Sequence, residues 1–299
     1  FEIFHTSCSL PNFTSKLKFW NSLDSVQTNV VGLTYNICYS NVPLSGVTYQ
    51  WPRTGNGFIR LQAYCSTVTC SYYNSRLYPK NRMKSNLING QTYCVKMFVN
   101  LQNSSAYAID ALQILFSDVS IDTTKYSKMP LTYLTPQITN TLGIINDSLN
   151  WVEVKGTFVA NGTEKYLIIG NFKTDAITSA SSTPTGVGGG VFSEYMIDDV
   201  SVIDFNLSAY AGPDKNINLG DSAFIGRPPE IGLECTWTTG TITVGDSAGV
   251  WVKPTATGTF SYVVTQNICG NIKTDTVFVN VSPNGINENS LFAQSIGIY

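Results

Sequence analysis

Apolar and polar residues alternate with a period of two along most of this chain, in short runs broken by Asn, Gly and Ser. Such a period puts every second side chain on one face of a strand. Residues 92–101 (TYCVKMFVNL), 110–119 (DALQILFSDV), 151–160 (WVEVKGTFVA), 164–172 (EKYLIIGNF) and 194–205 (EYMIDDVSVIDF) are rich in β-branched and aromatic residues and predict strands. Asn161-Gly162 stands between two of these runs and predicts a hairpin turn. Helical spacing is confined to short, ambiguous stretches. Residues 139–150 (TNTLGIINDSLN) read as loop or a single turn, and 173–190 (KTDAITSASSTPTGVGGG) as an exposed, mobile loop.

A boundary falls near residues 206–213, after which a second β pattern begins: SAFIG, LECTWTTG, GVWVKP, TFSYVVTQ and KTDTVFVNVSP. In the last run Val277, Val279 and Val281 alternate with outward residues, as in an outer strand of a sandwich. That run carries little charge, with Pro283 at its end, and predicts an exposed edge open to assembly contacts. The reading is all-β: a β-sandwich over 1–205, a second over 206–282, and a polar, unpatterned linker over 283–299.

Only 13% of residues are charged and the net charge is −2. There is no basic field to attract nucleic acid. No apolar run approaches the ~20 residues of a membrane-spanning helix. The chain starts at Phe1 rather than Met, which fits a processed export product. Seven cysteines include no CxxC pair, and His5 is the single histidine, so a Cys/His zinc site is disfavoured. His5 itself reads as a surface loop residue. Disulfides, and with them an oxidising compartment, are the better reading. Cys65 and Cys70 have the spacing of a hairpin clasp. Cys94, inside TYCVKMFVNL, reads as a small buried residue without a bridge.

Phe1-Glu2, RTGNGFI at 53–59, residues 89–117, residues 151–172 and YMIDDVSV at 195–202 together resemble the galactose-binding-like jelly roll of proteins exported by the bacterial type IX secretion system. Residues 208–282, opening AGPDKNINLGDSAFIG, resemble the polycystic-kidney-type immunoglobulin-like module. GINENSLFAQSIGIY resembles the approach to a type IX sorting domain, which would lie beyond Tyr299. The resemblance implies a jelly roll followed by an immunoglobulin-like sandwich, on a secreted or outer-surface protein. It also implies the pairing Cys8–Cys38, and with domain membership Cys235–Cys269. Related carbohydrate-binding jelly rolls hold a structural calcium between first and last strands, which would fall to Glu2 and Asp198 here.

Catalysis finds little support. LGDSAF (219–224) matches a lipase/esterase motif with Ser222 as nucleophile, but no histidine follows it to act as base. Asp198-Asp199 is the adjacent acidic pair, yet neighbours on a regular strand face opposite ways, which does not suit glycoside hydrolysis. Aromatic rings can stack on sugars. Trp51, Tyr72, Tyr73 and Tyr107 fall at loops or strand ends and are the ligand candidates, while Trp151 and Trp237 sit in patterned strands and read as core. Arg53 would organise its glycine-rich turn. Asp-Ser/Thr triplets at Ser25, Thr123, Ser148, Ser222, Ser247 and Thr276 resemble the O-glycosylation signal of bacteria with this export route. The leading expectation is a non-catalytic surface protein that binds glycan or surface polysaccharide. A self-associating filament or surface-layer subunit, and accessory domains of a larger secreted hydrolase, are the alternatives.

Overall fold

The computed structural model describes residues 50–55, 57–65, 76–83, 85–119, 121, 130–183 and 191–284, together with the backbone of two short strands at 20–22 and 35–38. The chain divides into two compact units, Phe1–Asn206 and Leu207–Tyr299. Both are built from strands; among the described residues the helical content is one 3-10 turn, Asp175–Ile177. No helix is long and apolar enough to cross a membrane.

The first unit has two five-stranded antiparallel sheets. One runs β1 (Trp20–Ser22), β4 (Pro79–Arg82), β10 (Tyr166–Gly170), β7 (Gln113–Ser117), β8 (Ile138–Thr139). The other runs β2 (Tyr35–Cys38), β3 (Gly57–Cys65), β12 (Phe192–Asp204), β5 (Thr92–Leu101), β9 (Val152–Val159). A small pair, β6 (Tyr107–Ile109) with β11 (Ala180–Ser182), joins them. Alternation decides the core: Val95, Met97, Val99 and Leu101 of β5 join Leu61, Ala63, Tyr195 and Ile197, and meet Ile114, Phe116, Leu167 and Ile169 of the facing sheet. Burying each such side chain contributes about 1.5–3 kcal/mol. Tyr195 pins three segments at the centre, its hydroxyl donating to the Ile145 carbonyl at 2.7 Å and accepting from the Ile109 amide at 2.8 Å.

Asn161-Gly162 does not close a hairpin. β9 pairs with β5 and β10 with β4 and β7, so the turn carries the chain from one sheet to the other. The buried Glu164 carboxylate makes this crossing, accepting from the Asn161 amide at 2.7 Å and the Gly162 amide at 2.9 Å. Two bonds to a buried acceptor hold the turn more firmly than the Asn-Gly pair would by itself. The start of the stretch expected to be a loop at 173–190 is likewise ordered, through the 3-10 turn and the β6–β11 pairing. Residues 184–190 lie outside the described set.

The second unit places a five-stranded sheet, β13 (Lys215–Asn218), β19 (Asn271–Ser282), β18 (Gly258–Ile268), β15 (Glu234–Thr239), β16 (Ile242–Gly245), against a pair, β14 (Ala223–Gly226) with β17 (Gly249–Val252). Trp237 is fully buried as expected, its indole N–H donating to the Ser247 carbonyl at 2.8 Å. Val277, Val279 and Val281 point inward. The strand that carries them pairs antiparallel with β18 along one side, and on the other β13 pairs parallel with its last four residues, Val279–Ser282. The expected edge is thus closed at Val279–Ser282, whereas β13 does not reach the first eight residues of the strand, 271–278.

The cysteines depart from expectation. Cys65, Cys94 and Cys269 are each disulfide-bonded. Cys235 is a buried free thiol, so it does not bridge Cys269. Register explains this: Cys235 lies opposite Gln266, while Cys269 sits three residues further on in the β18–β19 turn. Three residues of strand put about 10 Å between them, too far for a disulfide. Cys94 is as buried as its alternation required, but burial does not distinguish a lone thiol from a bridge. Cys8, Cys70 and the Cys38 side chain lie outside the described residues.

Candidate binding surface

A β-bulge creates the best-formed polar feature of the first unit. The register of β12 against β5 shifts between Asp198 and Ser201, and Asp199 adopts φ +47°. A bulge breaks strict alternation, so the two adjacent carboxylates reach the same loop, 50–55. Asp198 accepts from the Arg53 amide at 2.8 Å. Asp199 accepts from the Arg53 guanidinium and from the Thr54 hydroxyl. The guanidinium also lies 3.5 Å over the Phe98 ring centroid, and Phe98 stands directly opposite Asp198 across the ladder. Arg53 thus organises its turn by anchoring it to the sheet. The sequence argument that this acidic pair faces opposite ways fails at the bulge, which nothing in the local composition announces.

The anchored loop presents Trp51, 46% exposed. Its carbonyl accepts the Trp151 indole N–H at 3.1 Å, and Trp151 meets the buried Phe58 edge-on at 5.8 Å. Trp151 is half-buried and contributes to this patch as well as to the core. Leu149, 75% exposed, precedes it, and Glu153 with Lys155 follows on β9. Burial would raise the Glu153 carboxyl, but the Lys155 hydrogen bond and the Lys96 charge hold it below its ordinary value. The result is a Trp151 ring held at the start of the strand that carries an ionised, partly exposed hydrogen-bonding pair.

Tyr107 belongs to a different patch. It packs edge-on against Tyr64 at 5.6 Å, and the buried Arg76, ion-paired with Asp175, lies 5.5 Å over the Tyr64 ring. Lys173 and Asp110 pair at 3.2 Å nearby in the chain. Tyr72 and Tyr73 lie outside the described residues, as do His5, Glu2, Ser25 and Thr123. Of the remaining glycosylation candidates, Ser222 and Thr276 are exposed and Ser148 and Ser247 half-exposed.

Calcium takes six to eight oxygens. Asp198 and Asp199 are buried and already hold two backbone amides, a hydroxyl and a guanidinium. No group of three or more His, Cys, Asp or Glu able to hold a metal occurs among the described residues. Glu2, the other ligand expected of a calcium site, lies outside the described residues, and at Asp199 the positive charge comes from Arg53. The arrangement also suits a clamp better than a catalytic pair, which must face its substrate. Ser222 lies in a turn that Asp221 closes by accepting the Asn218 amide at 3.2 Å, with no histidine among the described residues.

No protein-family model matches the chain, and no curated protein matches it. Among solved structures, the CBM22-1 xylan-binding domain of Paenibacillus barcinonensis Xyn10C is similar at 11% identity and a TM-score of 0.33, over 62% of this chain and 85% of that one. The K1 cleaved adhesin domain of Lys-gingipain from Porphyromonas gingivalis W83 is similar at 13% identity and a TM-score of 0.27, over 62% and 96%. These are loose likenesses, and a functional reading rests on the side chains of this chain.

Proposed function

We propose that the protein is a non-catalytic extracellular binding protein, exported by the type IX route, whose first unit engages glycan at the Trp51 loop. The carrying observation is the clamp: a buried, bulge-borne carboxylate pair locks the loop that holds an exposed indole. A loop anchored before binding loses little conformational entropy when it presents a ring to a sugar face. Lys155 and Glu153 supply donor and acceptor groups for hydroxyls. Disulfides at Cys65, Cys94 and Cys269 support an oxidising, extracellular setting.

The test is native affinity electrophoresis of the full chain in gels containing hydroxyethylcellulose, soluble xylan, galactomannan or laminarin. Trp51→Ala should weaken retention about tenfold, equivalent to ~1.4 kcal/mol. Tyr107→Ala reports on the second patch separately. Retention unchanged in both variants refutes a glycan site in this unit.

A further inference from the structure

We propose that the second unit carries its own carbohydrate-stacking site, a platform of Phe224 and Trp251 on the β14–β17 pair; it does not depend on the Trp51 site. Trp251 is 70% exposed, although large aromatic side chains mostly bury. Phe224 lies directly opposite it in the ladder, with ring centroids 5.6 Å apart and the planes inclined by 58°. Both rings sit on the outer face, because Ala223, Ile225 and Val252 take the buried positions.

The platform is seated rather than loose. A Cβ at Gly249 would lie 2.4 Å from Cζ of Phe224 and 2.3 Å from the Arg227 carbonyl oxygen. The missing side chain is what lets the Phe224 ring settle over the strand, and that ring in turn flanks the indole. At the end of β14, Arg227 donates to the Ser208 carbonyl at 2.7 Å and lies 5.4 Å over the exposed Tyr210 ring.

Size and charge select the occupant. Two strands of four residues span about 10 Å by 14 Å, or about 140 Å², far below the ~800 Å² per partner of a stable protein interface. Neither strand contains an ionisable residue, so nothing there recognises a charged ligand. A small, flat, uncharged aromatic surface fits the apolar face of a pyranose.

The same four polysaccharide gels test this with the full chain. Trp251→Ala should weaken retention by at least one polysaccharide about tenfold, and Trp251→Phe should keep most of it. Both variants should melt within a degree or two of the parent, because the indole packs on little. Retention unchanged in Trp251→Ala, or no retention by any of the four, overturns the proposal. So does a dimer in analytical ultracentrifugation that Trp251→Ala dissociates, since that assigns the rings to a second copy. A loss in Trp51→Ala with none in Trp251→Ala sinks this site and leaves the first standing; the converse does the reverse.

Discussion

Removing the Asp199 carboxylate should unlock the Trp51 loop and destabilise the first unit by about 4–5 kcal/mol. The figure combines two losses. Asp199 accepts one bond from a guanidinium and one from a hydroxyl, and bonds to a charged group are worth ~1.5–3 kcal/mol each. Its own side chain is 1% exposed but that of Arg53 is 38% exposed, so solvent screens the ion pair and the lower values apply. In Asp199→Ala the new residue must also hold φ +47°, which costs ~1–2 kcal/mol without a local polar partner. Asparagine tolerates that backbone and keeps an acceptor for Thr54, so Asp199→Asn should cost only about half as much. Arg53→Ala should fall between the two, losing the Phe98 contact as well. Urea unfolding followed by tryptophan fluorescence, fitted for two units, gives the values. A double-mutant cycle of Arg53 and Asp199 should return a coupling of about 1–2 kcal/mol. An Asp199→Ala cost under about 1 kcal/mol, or a coupling near zero, refutes the clamp.

Glu194 offers a pH signature. Burial raises its carboxyl above the ordinary value, against the opposing charge of Arg60 at 3.7 Å. The native state therefore holds the proton more tightly than the unfolded chain, and stability falls as pH rises from the unfolded value through the folded one. Glu194→Gln should raise the Tm of the first unit at pH 7.5 and lose that gain near pH 4; a gain that grows on acidification contradicts the assignment. For the thiols, burial pushes Cys235 up and hides it. Iodoacetamide should leave the native protein unlabelled there and alkylate Cys235 alone of the four described cysteines once the unreduced chain is unfolded; an alkylated Cys94 or Cys269 contradicts the bridge pattern.

The all-β character was written in the period-two runs, because alternation alone decides which side chains a sheet can bury. Residues 92–101 read as a strand and form β5 in full, and Trp237 read as core and is buried. Low charge and cysteine content likewise need no fold to be seen. What the sequence could not determine were relations between segments distant along the chain. Asn161-Gly162 looks like a hairpin turn locally, yet whether its flanking strands pair depends on which sheet accepts each of them. The closing of the β19 edge at Val279–Ser282 rests on a parallel partner more than fifty residues upstream. Cys235 and Cys269 share a unit, but register holds them too far apart to bond. Both candidate surfaces follow the same rule: the bulge that turns Asp199 toward Arg53, and the glycine gap that seats Phe224 beside Trp251, arise only when strands align. Local pattern fixes how a strand divides its faces, whereas the partner each face meets is settled by tertiary packing, because that choice minimises the free energy of the whole sandwich rather than of any one segment.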